Sequence, residues 1–156
     1  LVQMSAHIGA RPTHQLWQGK IFSISGKSAA YPPFVESTGY GTITGFAGVN
    51  CRHSCYPYFE GISERIYKDE ELKSYQDKIV KYNGEELSFY EATQKQRGIE
   101  RNIRQWKRQA SLLEQLGIDN THELAKVREW QGKMRDFTDQ TGLIRQRERE
   151  WTFIRK

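Results

Sequence analysis

Long hydrophobic runs are what this sequence most lacks. No stretch approaches the roughly 18 apolar residues that a membrane-spanning helix needs, and no charged-then-apolar leader stands at its start, so a soluble, unprocessed chain is expected. Cysteine is nearly as scarce: the only two, Cys51 and Cys55, are too few for a disulfide scaffold and fit synthesis in a reducing interior. Hydrophobic residues make up 37% of the 156 and charged residues 28%, which predicts long solvated helices around a modest core. Catalytic signatures are missing too. No G-x-S-x-G or H-E-x-x-H occurs. Gly26-Lys27-Ser28 ends like a phosphate loop, but the loop's first glycine would have to stand where Ile21 is. No RNP-like or helix-turn-helix signature supports sequence-specific reading of a nucleic acid, and neither an internal repeat nor a low-complexity tract is present.

What the sequence does have is a dense knot of unusual residues. Ser37-Thr38-Gly39-Tyr40-Gly41-Thr42, then Gly45 and Gly48, lead into Asn50-Cys51-Arg52-His53-Ser54-Cys55. Glycine permits close backbone approach, so this segment is expected to fold tightly around something. Upstream lies a second cluster, His7, Gly9, Arg11, Pro12, His14, Trp17 and Gly19, and the two clusters are expected to meet in space as one mutually satisfied constellation.

Composition changes near Tyr67. All four prolines, both cysteines and three of the four histidines precede it, whereas the helix-forming charged runs follow. The expectation is an α+β protein: a small Gly-rich α+β head over residues 1–67, then an α-helical tail over 68–156. In the head, Pro12 suits the first turn of a short helix to Gln18. Gly19–Ser25 suits a short strand, and Cys51–Tyr58 a second in which Cys51, His53 and Cys55 share a face, limited by Pro57. In the tail, Asp69, Glu70 and Glu71 open a helix through Leu72, Tyr75 and Ile79 that Asn83-Gly84 stops. Ser88 and Glu91 form a capping box. Beyond it Ile99, Ile103, Trp106, Ala110 and Leu113 recur at spacings of a coiled-coil-like seam. Gly117 closes that helix and Thr121 can cap another, whose stripe is Leu124, Val127, Trp130, Met134 and Phe137. Two long helices so closely joined predict an antiparallel hairpin. Gly142 ends it, and the basic end from Leu143 to Lys156 is expected to continue as a frayed or docked helix.

The segments from His7 to Arg65, with Gly9-Ala10-Arg11-Pro12-Thr13-His14, Trp17-Gln18-Gly19-Lys20, Tyr31-Pro32, Glu36-Ser37-Thr38-Gly39-Tyr40-Gly41 and Asn50-Cys51-Arg52-His53, resemble the C-terminal part of the phage minor capsid protein 2 family. Tyr90-Glu91-Ala92-Thr93-Gln94-Lys95-Gln96-Arg97, Glu100-Arg101 and Ile103-Arg104 are similar to the same family. The family is loosely related to minor head proteins of the Mu type. The resemblance implies a structural component of a tailed-phage or prophage head, located in the virion and, during assembly, in the bacterial cytoplasm. Portal or other capsid proteins are the implied partners, packaged double-stranded DNA is a second, and no membrane is involved. The opening Leu1-Val2-Gln3-Met4 fits a C-terminal piece of such a protein.

Three chemistries compete for the polar residues. Cys51 and His53, with Cys55 and with His14 or His7 from the other cluster, offer sulfur and imidazole donors suited to zinc, but C-x-H-x-C matches no standard zinc template and no cofactor is favoured. The same set, His7, Arg11, His14, Cys51 and His53, can be read as acid-base machinery of a metal-independent nuclease-like domain carried by a phage structural protein. That alternative to the non-enzymatic reading requires one open cleft, whereas a structural knot buries and hydrogen-bonds its members. Charge offers the third chemistry. The net charge of +5 is concentrated on residues 89–116 and 142–156. Arg97, Arg101, Arg104 and Arg108 form a stripe two residues, about 200° of helix rotation, from the apolar seam. It is expected to face solvent and to contact phosphates or an acidic protein surface.

Overall fold

In the computed structural model, which describes residues 1–152, the chain divides into two compact units, 1–78 and 79–156. The first is α+β. Its centre is a three-stranded antiparallel sheet in which β1 (Val2–Met4) lies between β2 (Ile21–Phe22) and β3 (Cys55–Pro57). Val2 pairs with Phe22 and Pro57, and Met4 with Cys55. Helices α1 (Pro12–Gln15), α2 (Phe34–Thr38) and α3 (Asp69–Gln76) complete the unit. The core joins Val2, Met4, Trp17, Phe22, Phe34 and Phe46, with Cys51 against it. Aromatic rings thus replace the missing aliphatic volume.

A polar residue sits in the middle of this sheet. Gln3 is buried on the central strand and engaged at both ends of its amide, donating from Nε2 to the Gly19 carbonyl and accepting at Oε1 from the Ile66 N–H. It ties β1 to two segments distant in sequence. Helix α3 belongs to this unit rather than to the tail, so the division falls after Lys78 although the composition changes near Tyr67. Leu72 covers Gly19, where an added Cβ would lie 2.5 Å from its Cδ2, and Gln76 Nε2 reaches the Gln15 carbonyl.

The Gly-rich segment is a succession of turns that begins where α2 ends at Gly39. Backbone contact requires glycine at position 45: a Cβ there would lie 1.9 Å from the Gly39 carbonyl oxygen, closer than any side chain tolerates. The Phe46 N–H bonds the Thr38 carbonyl, and Cys51 N–H bonds that of Gly48, which brings Cys51 back over the core. The expected strand over Cys51–Tyr58 shrinks to Cys55–Pro57: the Cys51 N–H is spent on the Gly48 carbonyl, and residues 51–54 are irregular.

The second unit opens with a β-hairpin, β4 (Ile79–Tyr82) and β5 (Glu85–Ser88), where a continuing helix was expected. Asn83 and Gly84 both take positive φ, 51° and 81°, the conformation of a tight two-residue hairpin turn. This pair turns two strands and does not stop a helix. Its position is fixed by Gln140, which accepts from the Asn83 N–H and donates to its side chain.

The hairpin of helices is present, α4 (Phe89–Gln115) and α5 (Thr121–Thr141). The capping box at Ser88 and Glu91 is complete, and Gly142 caps α5 in the left-handed conformation. Ile103, Ala110, Val127, Met134 and Phe137 are buried as the seam predicts, and Leu87, Ala92 and Leu143 join Phe137 in a cluster that Tyr82 closes edge-on. Trp106 and Trp130 are only half-buried, the first edge-on to His122 and the second under the Lys133 ammonium. Asn120, not Thr121, is the N-cap of α5.

Residues 143–152 are not a continuing helix. Leu143 tucks into the core and the chain returns along α4 to a 3-10 turn, Arg147–Glu150. Of the basic end, residues 153–156 lie outside the described residues. Three α4 side chains hold this return by its backbone: Gln96 donates to the Ile144 carbonyl, Arg104 to that of Arg149, and Lys107 to that of Glu150. Glu150 is itself buried and paired in bidentate fashion with Arg145, both contacts at 2.6 Å. The fully exposed Arg stripe is therefore corrected: Arg101 and Arg108 face solvent, whereas Arg97 and Arg104 are half-buried.

Glu100 is buried beneath this segment at 2% exposure, and its Oε1 has no hydrogen-bond partner. Burial raises its pKa, opposed by the charges of Arg149, Arg104 and Arg97 and reinforced by Glu150. A carboxyl whose pKa is higher folded than unfolded takes up protons on folding, so its contribution to stability declines as pH rises above its ordinary value of 4.5. Glu100→Gln should therefore gain stability relative to the native chain as pH increases from 4.5 toward neutrality. Paired denaturation curves across that range would refute this by showing a constant difference. Phe137→Ala should cost about 3–5 kcal/mol as a fully buried aromatic, and Trp106→Ala distinctly less. Equal shifts in the two denaturation midpoints would contradict the packing described.

Candidate functional site

The two polar clusters meet. Helix α1 and the turn after Gly48 bring His14 and His53 together, their Nδ1 atoms 3.3 Å apart, with Cys51 Sγ at 3.9 Å from the first and 3.8 Å from the second. His14 is 2% exposed and His53 8%. The local cause is readable. Pro12 starts α1 without needing an N–H partner, the single helical turn points His14 inward, and the Cys51–His53 segment descends over the aromatic core. Trp17 forms one wall, 4.5 Å from the His14 ring and 4.6 Å from that of His53.

Hydrogen bonds define which ring nitrogens carry protons. His14 Nε2 lies 2.8 Å from the Thr44 carbonyl, which can only accept, so Nε2 bears the hydrogen and Nδ1 keeps its lone pair. His53 Nε2 lies 3.2 Å from Gln18 Oε1, an oxygen identified by the His7 backbone N–H that also donates to it. His53 Nε2 is thus the donor and its Nδ1 is bare as well. Two lone pairs face each other beside a sulfur.

Protonation does not resolve that confrontation. Burial, then the neighbouring His7, His14 and Arg11, push the pKa of His53 down to about 3. Burial also lowers that of His14, against its bond to Thr44. Both rings are neutral near pH 7.

The remaining predicted residues take different places. His7 stacks on His53 at 4.3 Å between ring centroids. Its Nδ1 faces the Ile8 carbonyl, and its Nε2 is buried without a hydrogen-bond partner. Arg11 stays at the rim, donating to the carbonyls of Val49 and Thr44. Cys55 is exposed on β3 and separate from the trio, so the shared face expected for Cys51, His53 and Cys55 does not form. The structure therefore joins His7, Arg11, His14, Cys51 and His53 and leaves Cys55 out. Sequence reasoning missed Gln18 and Thr44. Gln18 follows Trp17, and its spacing of four from His14 places both on one side of a helical turn; Thr44 acts through its backbone and left no side-chain signal.

The family model for phage minor capsid protein 2 matches residues 1–139. The chain belongs to the phage minor capsid protein 2 family. It is 32% identical over 163 aligned positions to a structural protein of Lactococcus phage LL-H, covering 99% of the chain and 40% of that relative's length. It is 35% identical over 123 positions to a structural protein of Lactococcus phage mv4, covering 76% of the chain and 89% of that relative. No solved structure matches the chain. As a member of the minor capsid protein 2 family, it has a phage structural role.

Gln18 is 1% exposed and serves two donors at once, so Gln18→Met, which keeps its length but removes the acceptor, should cost about 1–3 kcal/mol. Chemical denaturation measures this. An unchanged midpoint would mean that Gln18 is not the acceptor holding His53.

Proposed function

We propose that this minor capsid protein 2 family member is a non-enzymatic assembly module of a phage head, which docks on portal or other capsid proteins in the virion after synthesis in the bacterial cytoplasm. The observation that carries this reading is the apolar end of the helical hairpin. Leu112 on α4 and Leu116 at its C-cap are 57% and 61% exposed, with Ile118 in the connecting turn and Leu124 at the start of α5 also exposed. Solvent-facing aliphatics gathered at one end of a hairpin favour a protein partner. Among the described residues no helix is long and apolar enough to cross a membrane. The buried, hydrogen-bonded state of His14 and His53 favours a structural knot over the open cleft that the nuclease-like alternative needs.

Packaged double-stranded DNA is a second partner, favoured by Arg101 and Arg108, which are exposed seven residues apart on one face of α4. Paired variants separate the two. Leu112→Gln with Leu116→Gln should change stability by no more than about 0.5 kcal/mol, as surface positions do, while sharply reducing incorporation into phage heads. Arg101→Gln with Arg108→Gln should instead weaken DNA binding and flatten its salt dependence. Normal incorporation of the leucine variant would overturn the hairpin end as the docking surface.

A further inference from the structure

We infer that His14 Nδ1, His53 Nδ1 and Cys51 Sγ form a zinc-binding site that cross-links α1 to the turn following the Gly-rich loop. Three independent features converge on it. The first is distance. Zinc bound tetrahedrally at about 2.0–2.1 Å to nitrogen and about 2.3 Å to sulfur requires donor separations of about 3.3–3.4 Å between nitrogens and about 3.5–3.6 Å from nitrogen to sulfur. The observed separations are 3.3, 3.8 and 3.9 Å, so a few tenths of an ångström of movement in Cys51, which is only partly buried, completes the triangle.

The second feature is proton placement. Thr44 and Gln18 hold the hydrogens of both imidazoles on Nε2, away from the centre. This is the outer-shell arrangement by which carbonyl acceptors orient metal-binding histidines. Two neutral rings directing lone pairs at each other across 3.3 Å have no shared proton to reconcile them. The Cys51 thiol can supply a hydrogen to only one ring, whereas a divalent cation satisfies both nitrogens and the thiolate together.

Donor chemistry is the third feature. Two imidazoles with one thiolate make a borderline-soft set that suits zinc better than calcium or magnesium, which prefer oxygen. Three protein donors leave a fourth position for a water molecule. His7 offers an acceptor next to His53, because its Nε2 is buried and otherwise unpartnered. Binding displaces the Cys51 thiol proton to solvent and changes no oxidation state. The link joins residues far apart in sequence, so the metal should stabilise the loop that the fold holds otherwise by turns and aromatic contacts.

The test uses the intact chain carrying Cys55→Ser, which removes the competing thiol. Protein made with zinc and purified without chelator is measured for zinc content, and the metal-free form is titrated with cobalt(II). We expect one zinc per chain, a thiolate-to-cobalt charge-transfer band with tetrahedral ligand-field bands, and a higher thermal midpoint with zinc than without. Adding Cys51→Ser should abolish the charge-transfer band, and Gln18→Met should weaken cobalt affinity by about 10–100-fold. Zinc content near zero, or no charge-transfer band in the Cys55→Ser chain, would overturn the proposal. So would a band that persists when Cys51 is also replaced. Should the Cys51 variant fail to fold, the Cys55→Ser spectrum decides alone, because Cys51 is then the only thiol in the chain.

Discussion

Two carbonyl oxygens, those of Thr44 and Gln18, govern the state of the first unit. Each holds a hydrogen on the outer nitrogen of a buried histidine, and together they leave the inner nitrogens bare. Were either acceptor displaced, a ring could flip its tautomer and donate to its neighbour, and the two histidines would become an ordinary hydrogen-bonded pair. The Gly-rich loop exists in part to deliver Thr44. Its chain must pass close enough to Gly39 that position 45 admits no side chain, and only then does the Thr44 carbonyl come within 2.8 Å of His14. Arg11 reinforces the loop at Thr44 and Val49 without entering the cluster.

A different device organises the second unit. Its core is lean, so α4 fastens the returning chain through polar side chains directed at backbone carbonyls, from Gln96, Arg104 and Lys107. Such bonds are modest singly, but cationic donors strengthen them. The cost falls on Glu100, whose carboxyl the same segment shuts away from water with one oxygen unpartnered. The neighbouring arginines compensate by charge rather than by direct contact with that oxygen. Burial therefore raises the pKa of Glu100 even against those charges, and its ionised form costs stability.

Legibility in the sequence followed the range of the governing interactions. Local rules sufficed for the capping box at Ser88 and Glu91, the left-handed glycines Gly117 and Gly142 that end the two long helices, and the apolar seam through Ile103, Met134 and Phe137, because each depends on spacing within one helix or turn. They failed at Asn83-Gly84, where the same two residues can stop a helix or turn a hairpin. The choice was made by strand pairing and by Gln140, far along the chain. The meeting of His14 with Cys51 and His53 was legible because polar clusters in a small unit must satisfy one another. The exclusion of Cys55 was not, since alternation along a strand presumes a strand, and the strand begins only at Cys55, after the irregular residues 51–54. Arg104 likewise carried no mark distinguishing it from Arg101 and Arg108; what sets it apart is a carbonyl contributed by Arg149.

The same contrast bears on where a partner would engage. In the second unit Gln96, Arg104 and Lys107 of α4 are engaged internally, whereas Arg101 and Arg108 face outward, as do the aliphatics of the hairpin turn. Apolar association tolerates high salt, whereas arginine contacts to phosphate weaken steeply with it. A head protein must stay in place while the ionic surroundings change around packaged DNA. Under the proposed docking, the exposed leucines, rather than the basic stripe that stands out in the sequence, would be the better basis for a lasting attachment, and the arginines would suit a weaker contact.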